Sequence, residues 1–198
     1  MAQAWYDVMG DSSWYHKKFK LVNGNIINSK YADATKVSWG SDSSYLDDAD
    51  AAILFWHGSE DGDVYKGSMR VDESGGGDCK VREDEMDLGD QDLEFLVLSS
   101  CHGLDDNQWK QWWKSFKGLH QLDSFHGLMW ISSGRVGDYE DFAEDAFDGP
   151  MTMPTTTAKM TPSTTMTIKV RLKISRACGD CGLNTLTTSA INDAPLNN

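Results

Sequence analysis

A cysteine and a histidine each stand where a short apolar segment of the sequence ends. Cys101 follows the segment Leu93–Leu98 after two serines, and His57 directly follows Ala51–Trp56. A cysteine thiolate attacks carbonyl carbons, and a neighbouring imidazole can take the thiol's proton and later protonate the leaving amine. If the two side chains meet, their chemistry is nucleophilic cleavage of an acyl bond through an acyl-enzyme that water then hydrolyses.

The two apolar segments have the length and composition of buried strands. Each is bounded by polar residues, and a glycine follows soon after the reactive residue, Gly58 in one case and Gly103 in the other. These glycines are expected to allow sharp turns. Ligands bind at the carboxyl ends of the strands in open α/β sheets, so neighbouring parallel strands would bring His57 and Cys101 together. The separation of 44 positions from His57 to Cys101 leaves room for the crossover that such a pair needs.

Other segments are expected to complete an α/β domain. Residues 12–22 are predicted to form a helix entered through Ser12 or Ser13, and residues 105–118 a helix capped by Asp105 or Asp106. In the second helix an aromatic stripe at helical spacing is expected to pack on the sheet. A weaker helix is expected at 82–88, and a strand at 127–131. The stripe consists of Trp109, Trp112, Trp113 and Phe116.

Charge and composition exclude several classes of protein. The net charge of -13 and the pI near 4.6 argue against nucleic-acid binding, which needs a basic face. No apolar run is long enough to span a bilayer, and the N-terminal residues do not have the pattern of a signal peptide. We therefore expect a soluble, cytoplasmic protein without membrane contact, or a secreted one if a leader has been removed.

The composition changes abruptly near Gly149. All 21 aromatic residues and 29 of the 31 acidic residues precede this position, whereas all four prolines and eleven threonines follow it. The change predicts a folded domain at 1–149 and a Thr/Pro-rich linker and tail at 150–198. The tail is expected to be disordered, appended, or the product of a frame shift, because aspartate codons read out of phase encode Met and Thr.

The residues around the proposed pair resemble a known group of enzymes. The motifs FWHG, ending at Gly58, and FLVLSSCHG, ending at Gly103, are similar to the dyad motifs of the caspase-like cysteine peptidases, which include caspases, legumains, gingipains and separase. The stretch from Trp39 to Phe147 most resembles an uncharacterised microbial caspase-like domain family. There an acidic approach to the first strand, a DLE-hydrophobic-Cys strand and an FKGLH segment occur together.

This resemblance implies a fold and a set of roles. The fold would be an α/β caspase-like three-layer sandwich with a mostly parallel central sheet. Cys101 would be the nucleophile and His57 the general base and acid, with an oxyanion hole formed by the backbone N–H groups of Gly58 and Cys101. The region after the strand at 127–131 would line the substrate pocket, and acidic residues there would suit a basic substrate side chain of a peptide or protein. The pocket candidates are Trp130, Ser132, Asp138 and Glu140.

Two other functions remain open at this stage. The caspase motif Gln-Ala-Cys-x-Gly is replaced by Ser99-Ser100-Cys101-His102-Gly103, so caspase specificity does not transfer. The same thiol could pass its acyl group to an acceptor other than water, which would make the protein an acyltransferase or a cyclase. Alternatively, the domain could be a non-catalytic module for binding a cationic partner or for assembly.

No cofactor and no metal site are predicted. The acidic loops at 60–63 and 72–78 leave calcium as an alternative, because hard cations take carboxylate oxygens, but neither loop has the spacing of an EF-hand. Cys178 and Cys181 form a lone Cys-x-x-Cys pair in the tail without a second pair for zinc.

Overall fold

The protein is a mixed α/β structure. A computed structural model describes residues 1–11, 15–69, 79–129 and 133–145, and the backbone of 169–170 and 187–193. The helices within these residues are α1 (Ala2–Asp11), α2 (Trp109–Ser115) and α3 (Val136–Asp145). The strands are β1 (Tyr15–Val22), β2 (Ala51–Phe55), β3 (His57–Asp61), β4 (Val64–Ser68), β5 (Lys80–Arg82), β6 (Phe95–Ser99), β7 (Gln121–Ser124), β8 (Lys169–Val170) and β9 (Thr187–Asp193).

The strands form a large sheet and a small one. The large sheet has the order β1-β9-β2-β6-β7-β8, in which β2, β6, β7 and β8 are parallel neighbours and β9 is antiparallel to both β1 and β2. The small sheet, β3-β4-β5, is antiparallel and lies in the crossover between β2 and β6. The helix expected at 82–88 is a single 3₁₀ turn, Glu83–Glu85.

Both faces of the large sheet are covered. All five residues of β2 are buried, which identifies it as a central strand. Ala52, Leu54 and Trp56 pack into one core cluster, while Ala51, Ile53 and Phe55 pack into another that also contains residues of α1 and α3. The alternation along β2 therefore divides its side chains between two cores.

Two predictions of secondary structure are wrong. Residues 15–22 form a strand and not a helix, because Phe19 and Leu21 alternate with lysines and pack against the core with a period of two. The strand that follows β6 is β7 at 121–124, whereas 127–129 have no regular structure. Residues 130 and 131 of the predicted strand lie outside the described residues.

The helix predicted at 105–118 is present in a shorter form. It begins at Trp109, because the Asp105 carboxylate is bound by His102 and by the backbone of Gly127 and does not cap the helix. Within the predicted aromatic stripe, Trp112 is 1% exposed, whereas Trp109 and Trp113 are 48% and 50% exposed. Seven helical residues direct only part of the stripe toward the core.

Two strands from the C-terminal part of the chain join the large sheet. Residues 187–193 form β9, which is paired on one side with β1 and on the other with β2, and residues 169–170 form β8, which is paired with β7. The predicted tail at 150–198 thus contributes two strands to the sheet of residues 1–149. The boundary at Gly149 stays a prediction, since 146–168 and 171–186 lie outside the described residues. Among the helices that the structure describes, none is long and apolar enough to cross a membrane.

Candidate active site

Strand register brings the backbones of His57 and Cys101 together. β2 and β6 are parallel neighbours, and every pair from Ala51↔Phe95 to Phe55↔Ser99 has the same offset. That offset equals the separation of His57 and Cys101, so the same register would set them side by side if it continued for two residues beyond the last pair, Phe55↔Ser99. Both residues leave the sheet at the carboxyl ends of these strands, as the sequence predicts.

Contacts at the strand ends place Cys101 on one face of the large sheet. Phe55 and Cys101 belong to the core cluster that α1 and α3 cover. The Ser99 hydroxyl hydrogen-bonds the hydroxyl of Tyr139 on α3 at 3.0 Å, and the ring of Tyr139 packs edge-on against Phe55, with 4.9 Å between the ring centroids. The alternation of β2, if it continued beyond Phe55, would bring His57 to the same face, although His57 itself begins β3 of the small sheet.

Gly58 makes the close approach between the two strand ends possible. A Cβ at this position would lie 1.9 Å from the carbonyl oxygen of Cys101 and 2.2 Å from Oγ of Ser100. Glycine is needed at position 58 because it has no side chain, and not because φ is positive. The prediction that Gly58 allows a sharp turn is therefore wrong. Gly103 does lie in a turn, at 101–104, as predicted, and a Cβ there would also overlap Oγ of Ser124.

A buried hydrogen-bond chain fixes the strand ends from the opposite face. Trp56 Nε1 donates to the Tyr65 hydroxyl at 2.5 Å, and this hydroxyl pairs with the Ser100 hydroxyl at 2.7 Å. Burial raises the pKa of Tyr65, so the phenol stays neutral and able to donate. The chain joins the residue before His57, strand β4 and the residue before Cys101.

The Cys101 sulfur lies against the backbone of Met129. The Met129 N–H donates to the sulfur at 3.3 Å, and the thiol donates to the Met129 carbonyl at 3.6 Å. Cys101 is only 6% exposed. The His57 ring is half-buried, and in cysteine enzymes the bond between the two catalytic groups often tightens only when substrate is bound.

The turn after Cys101 is held in an uncommon backbone conformation. His102 has φ of 55°, in the left-handed region that non-glycine residues rarely adopt. Its N–H donates to the Gly127 carbonyl at 2.5 Å, and its Nδ1 donates to Asp105 Oδ2 at 2.6 Å. The contacts fix the strained residue that follows the candidate nucleophile.

The predicted substrate-pocket residues are distributed differently from the prediction. Trp130 and Ser132 lie outside the described residues. Asp138 and Glu140 are exposed on α3, on either side of Tyr139, and not in a loop. Asp138 already forms an ion pair with Arg135 at 2.9 Å, which partly neutralises its charge.

A second cluster lies on the other side of the turn, and it was not predicted from the sequence. Glu60 of β3, His102 and Asp105 bring potential metal-ligand atoms within 4.8 Å of one another. The spacing of His102 and Asp105, three residues apart in a turn, is the one sequence signal for their pairing. Glu60 belongs to the acidic loop 60–63 considered for calcium, whereas 72–78 lie outside the described residues.

Comparisons with known proteins give a single family. Searches of the curated proteins and of the solved structures return no match. A family model described as a domain of unknown function (DUF6345) matches residues 2–193, which includes both sides of the predicted boundary at Gly149. The chain therefore belongs to the DUF6345 family of domains of unknown function.

Proposed function

We propose that the protein is a cysteine-dependent hydrolase that cleaves peptide bonds through a dyad of Cys101 and His57. The observation that carries the proposal is the common register of β2 and β6, whose continuation beyond Phe55 and Ser99 would set the two residues next to each other. The proposal also extends the mixed α/β fold to a caspase-like three-layer sandwich. Helices α1 and α3 on one face and α2 on the other are in keeping with three layers.

In this mechanism the Cys101 thiol loses its proton to His57, and the sulfur attacks the carbonyl carbon of the scissile bond. The imidazolium then protonates the leaving amine, and water activated by the same imidazole hydrolyses the acyl-enzyme. The backbone N–H groups of Gly58 and Cys101 are the proposed oxyanion donors. Gly58 supports this assignment because it already touches the Cys101 backbone.

The surroundings of the sulfur fit a nucleophile that is held in place. The N–H of Met129 donates to the sulfur, and the carbonyl of Met129 accepts from the thiol. The two contacts hold the sulfur in one position. The hydrogen bond that fixes the backbone of His102 also limits the movement of the neighbouring Cys101.

Peptides with a basic residue before the scissile bond are the proposed substrates. Asp138 and Glu140 lie on α3, and Tyr139 between them reaches over the end of β6 to Ser99. The net charge of -13 also favours cationic peptides over long range. Trp130 and Ser132 remain proposed members of the pocket.

A non-catalytic binding module is the second candidate. The observation in its favour is that Cys101 is only 6% exposed, since a buried cysteine commonly acts as a small apolar residue. Such a module would bind its partner equally well as the Cys101→Ser variant, and it would cleave no peptide.

Cleavage of a peptide library, followed by mass spectrometry, tests the proposal. Wild type should cleave a subset of the peptides, and both Cys101→Ala and His57→Ala should lower the rate by about 100-fold or more. His120→Ala changes an exposed histidine far from the dyad and should leave the rate unchanged. Equal cleavage by wild type and Cys101→Ala, or no cleavage by any form, would contradict the proposal.

A further inference from the structure

Three metal-binding side chains converge beside the turn that follows Cys101. Glu60 comes from β3, while His102 and Asp105 come from the segment between β6 and α2. One donor atom from each lies within 4.8 Å of the others. We call these three residues the His102 cluster. The Cys101 sulfur, which contacts Met129, is not one of its donor atoms.

The donor types of the His102 cluster favour one class of cation. Two carboxylates and a neutral imidazole carry two negative charges and a nitrogen ligand. Calcium and magnesium prefer sites made of oxygen atoms, whereas imidazole with carboxylates suits zinc and its first-row neighbours. Three protein ligands also leave a fourth position of a tetrahedral ion for water.

Neighbouring groups orient two of the three ligands. Oδ1 of Asp105 accepts the N–H of Gly127 at 2.5 Å and lies 4.0 Å from Nδ1 of His126. The backbone N–H of His102 donates to the Gly127 carbonyl. Such outer contacts fix the orientation of ligands in metal sites and raise their affinity. Nδ1 of His102 and Oδ2 of Asp105 are 2.6 Å apart and separate slightly to admit an ion with bonds of about 2 Å, while the exposed Glu60 side chain rotates toward them.

We propose that the His102 cluster binds one Zn²⁺ ion or a similar divalent first-row transition metal ion. The ion replaces the hydrogen that His102 and Asp105 share, and the Glu60 carboxylate closes on it from β3. Because β3 begins at His57 and the turn begins after Cys101, the bound ion joins the two segments that carry the proposed dyad. The proposal concerns binding alone and does not depend on peptide cleavage.

Titration of the full chain with Co²⁺, followed by displacement with Zn²⁺, tests the proposal. Wild type should bind one equivalent of Co²⁺, seen as visible d–d bands without the strong band of thiolate-to-cobalt charge transfer. Zn²⁺ at a hundredfold excess over its Kd should raise the Tm by roughly 5 to 10 °C. Glu60→Gln and His102→Asn should each weaken binding tenfold or more, and asparagine tolerates the left-handed conformation at 102.

The controls separate this site from other ligands in the chain. His120→Asn removes an exposed histidine that lies 4.0 Å from Glu94, so it should bind Co²⁺ like wild type. Cys178→Ser/Cys181→Ser should also bind normally. The proposal is overturned if wild type binds no ion, if Ca²⁺ binds more tightly than Zn²⁺, if a thiolate band appears, or if Glu60→Gln binds as tightly as wild type.

Discussion

At the scale of single residues, backbone groups around Cys101 hold its sulfur in one position. The Met129 N–H and the strained turn at His102 are features that position a nucleophile. None of this could be predicted from the sequence, because Met129 acts through its backbone and has no sequence signal. The pairing of His57 with Cys101 stays a prediction, made because each residue stands near the end of an apolar strand segment.

A buried carboxylate gives the protein a testable dependence on pH. Glu83 is fully buried, and burial raises the pKa of its carboxyl from 4.5 to about 8, while backbone N–H groups offset only part of this. Between these two pKa values the folded state holds a proton that the unfolded state has lost. Between these pKa values, Glu83 should therefore lower the free energy of unfolding by about 1.4 kcal/mol for each unit by which the pH rises.

Glu83→Gln should remove the contribution of Glu83 to the pH dependence of stability. The variant should match wild type near pH 4 and be more stable than wild type at pH 8, as measured by urea unfolding at each pH. Burial also raises the pKa of Asp42 to about 7, so part of the slope should remain. Glu140→Gln, at an exposed position, is the matched control and should change nothing. A Glu83→Gln variant with the full wild-type slope would contradict this assignment.

At the scale of elements, the contact between the ends of β2 and β6 matters most. Gly58→Ala should destabilise the protein by about 1 to 3 kcal/mol, because the new methyl group would overlap the Cys101 carbonyl oxygen and the Ser100 hydroxyl. Gly137→Ala is the control: its site on α3 is open, and alanine favours a helix over glycine. Urea unfolding measures both. Equal stability of Gly58→Ala and wild type would show that the strand ends do not touch.

Strands that are buried on both faces could be predicted from the sequence, whereas strands that depend on pairing with a distant segment could not. The apolar runs that became β2 and β6 were predicted because both of their faces are covered. Residues 15–22 were predicted as a helix, since the strand depends on pairing with β9, which lies more than 160 residues away along the chain. β7 was missed because its sequence, QLDS, has a single large apolar residue, and its pairing with β6 makes it a strand.

At the scale of the whole molecule, the place of β9 makes the C-terminal part necessary to the fold. A chain ending at residue 186 loses the strand that joins β1 to β2, so both strands would expose unpaired edges. We expect this chain to lack a cooperative unfolding transition in circular dichroism, whereas a chain ending at residue 193 should unfold like the full chain. Cooperative, equally stable unfolding of a chain ending at residue 149 would instead support a separate domain at 1–149.

The proposed dyad of Cys101 and His57 can be tested by the rate at which a small electrophile alkylates Cys101, with Cys79 as the reference cysteine in the same chain. Exposure alone predicts that Cys79, which is half-buried, reacts faster than Cys101, which is buried. A dyad predicts the opposite order at pH 7, because His57 would take the proton of the Cys101 thiol as the sulfur attacks. We expect faster labelling of Cys101 in wild type and the reverse order in His57→Ala. Equal labelling of Cys101 in wild type and His57→Ala would contradict the dyad.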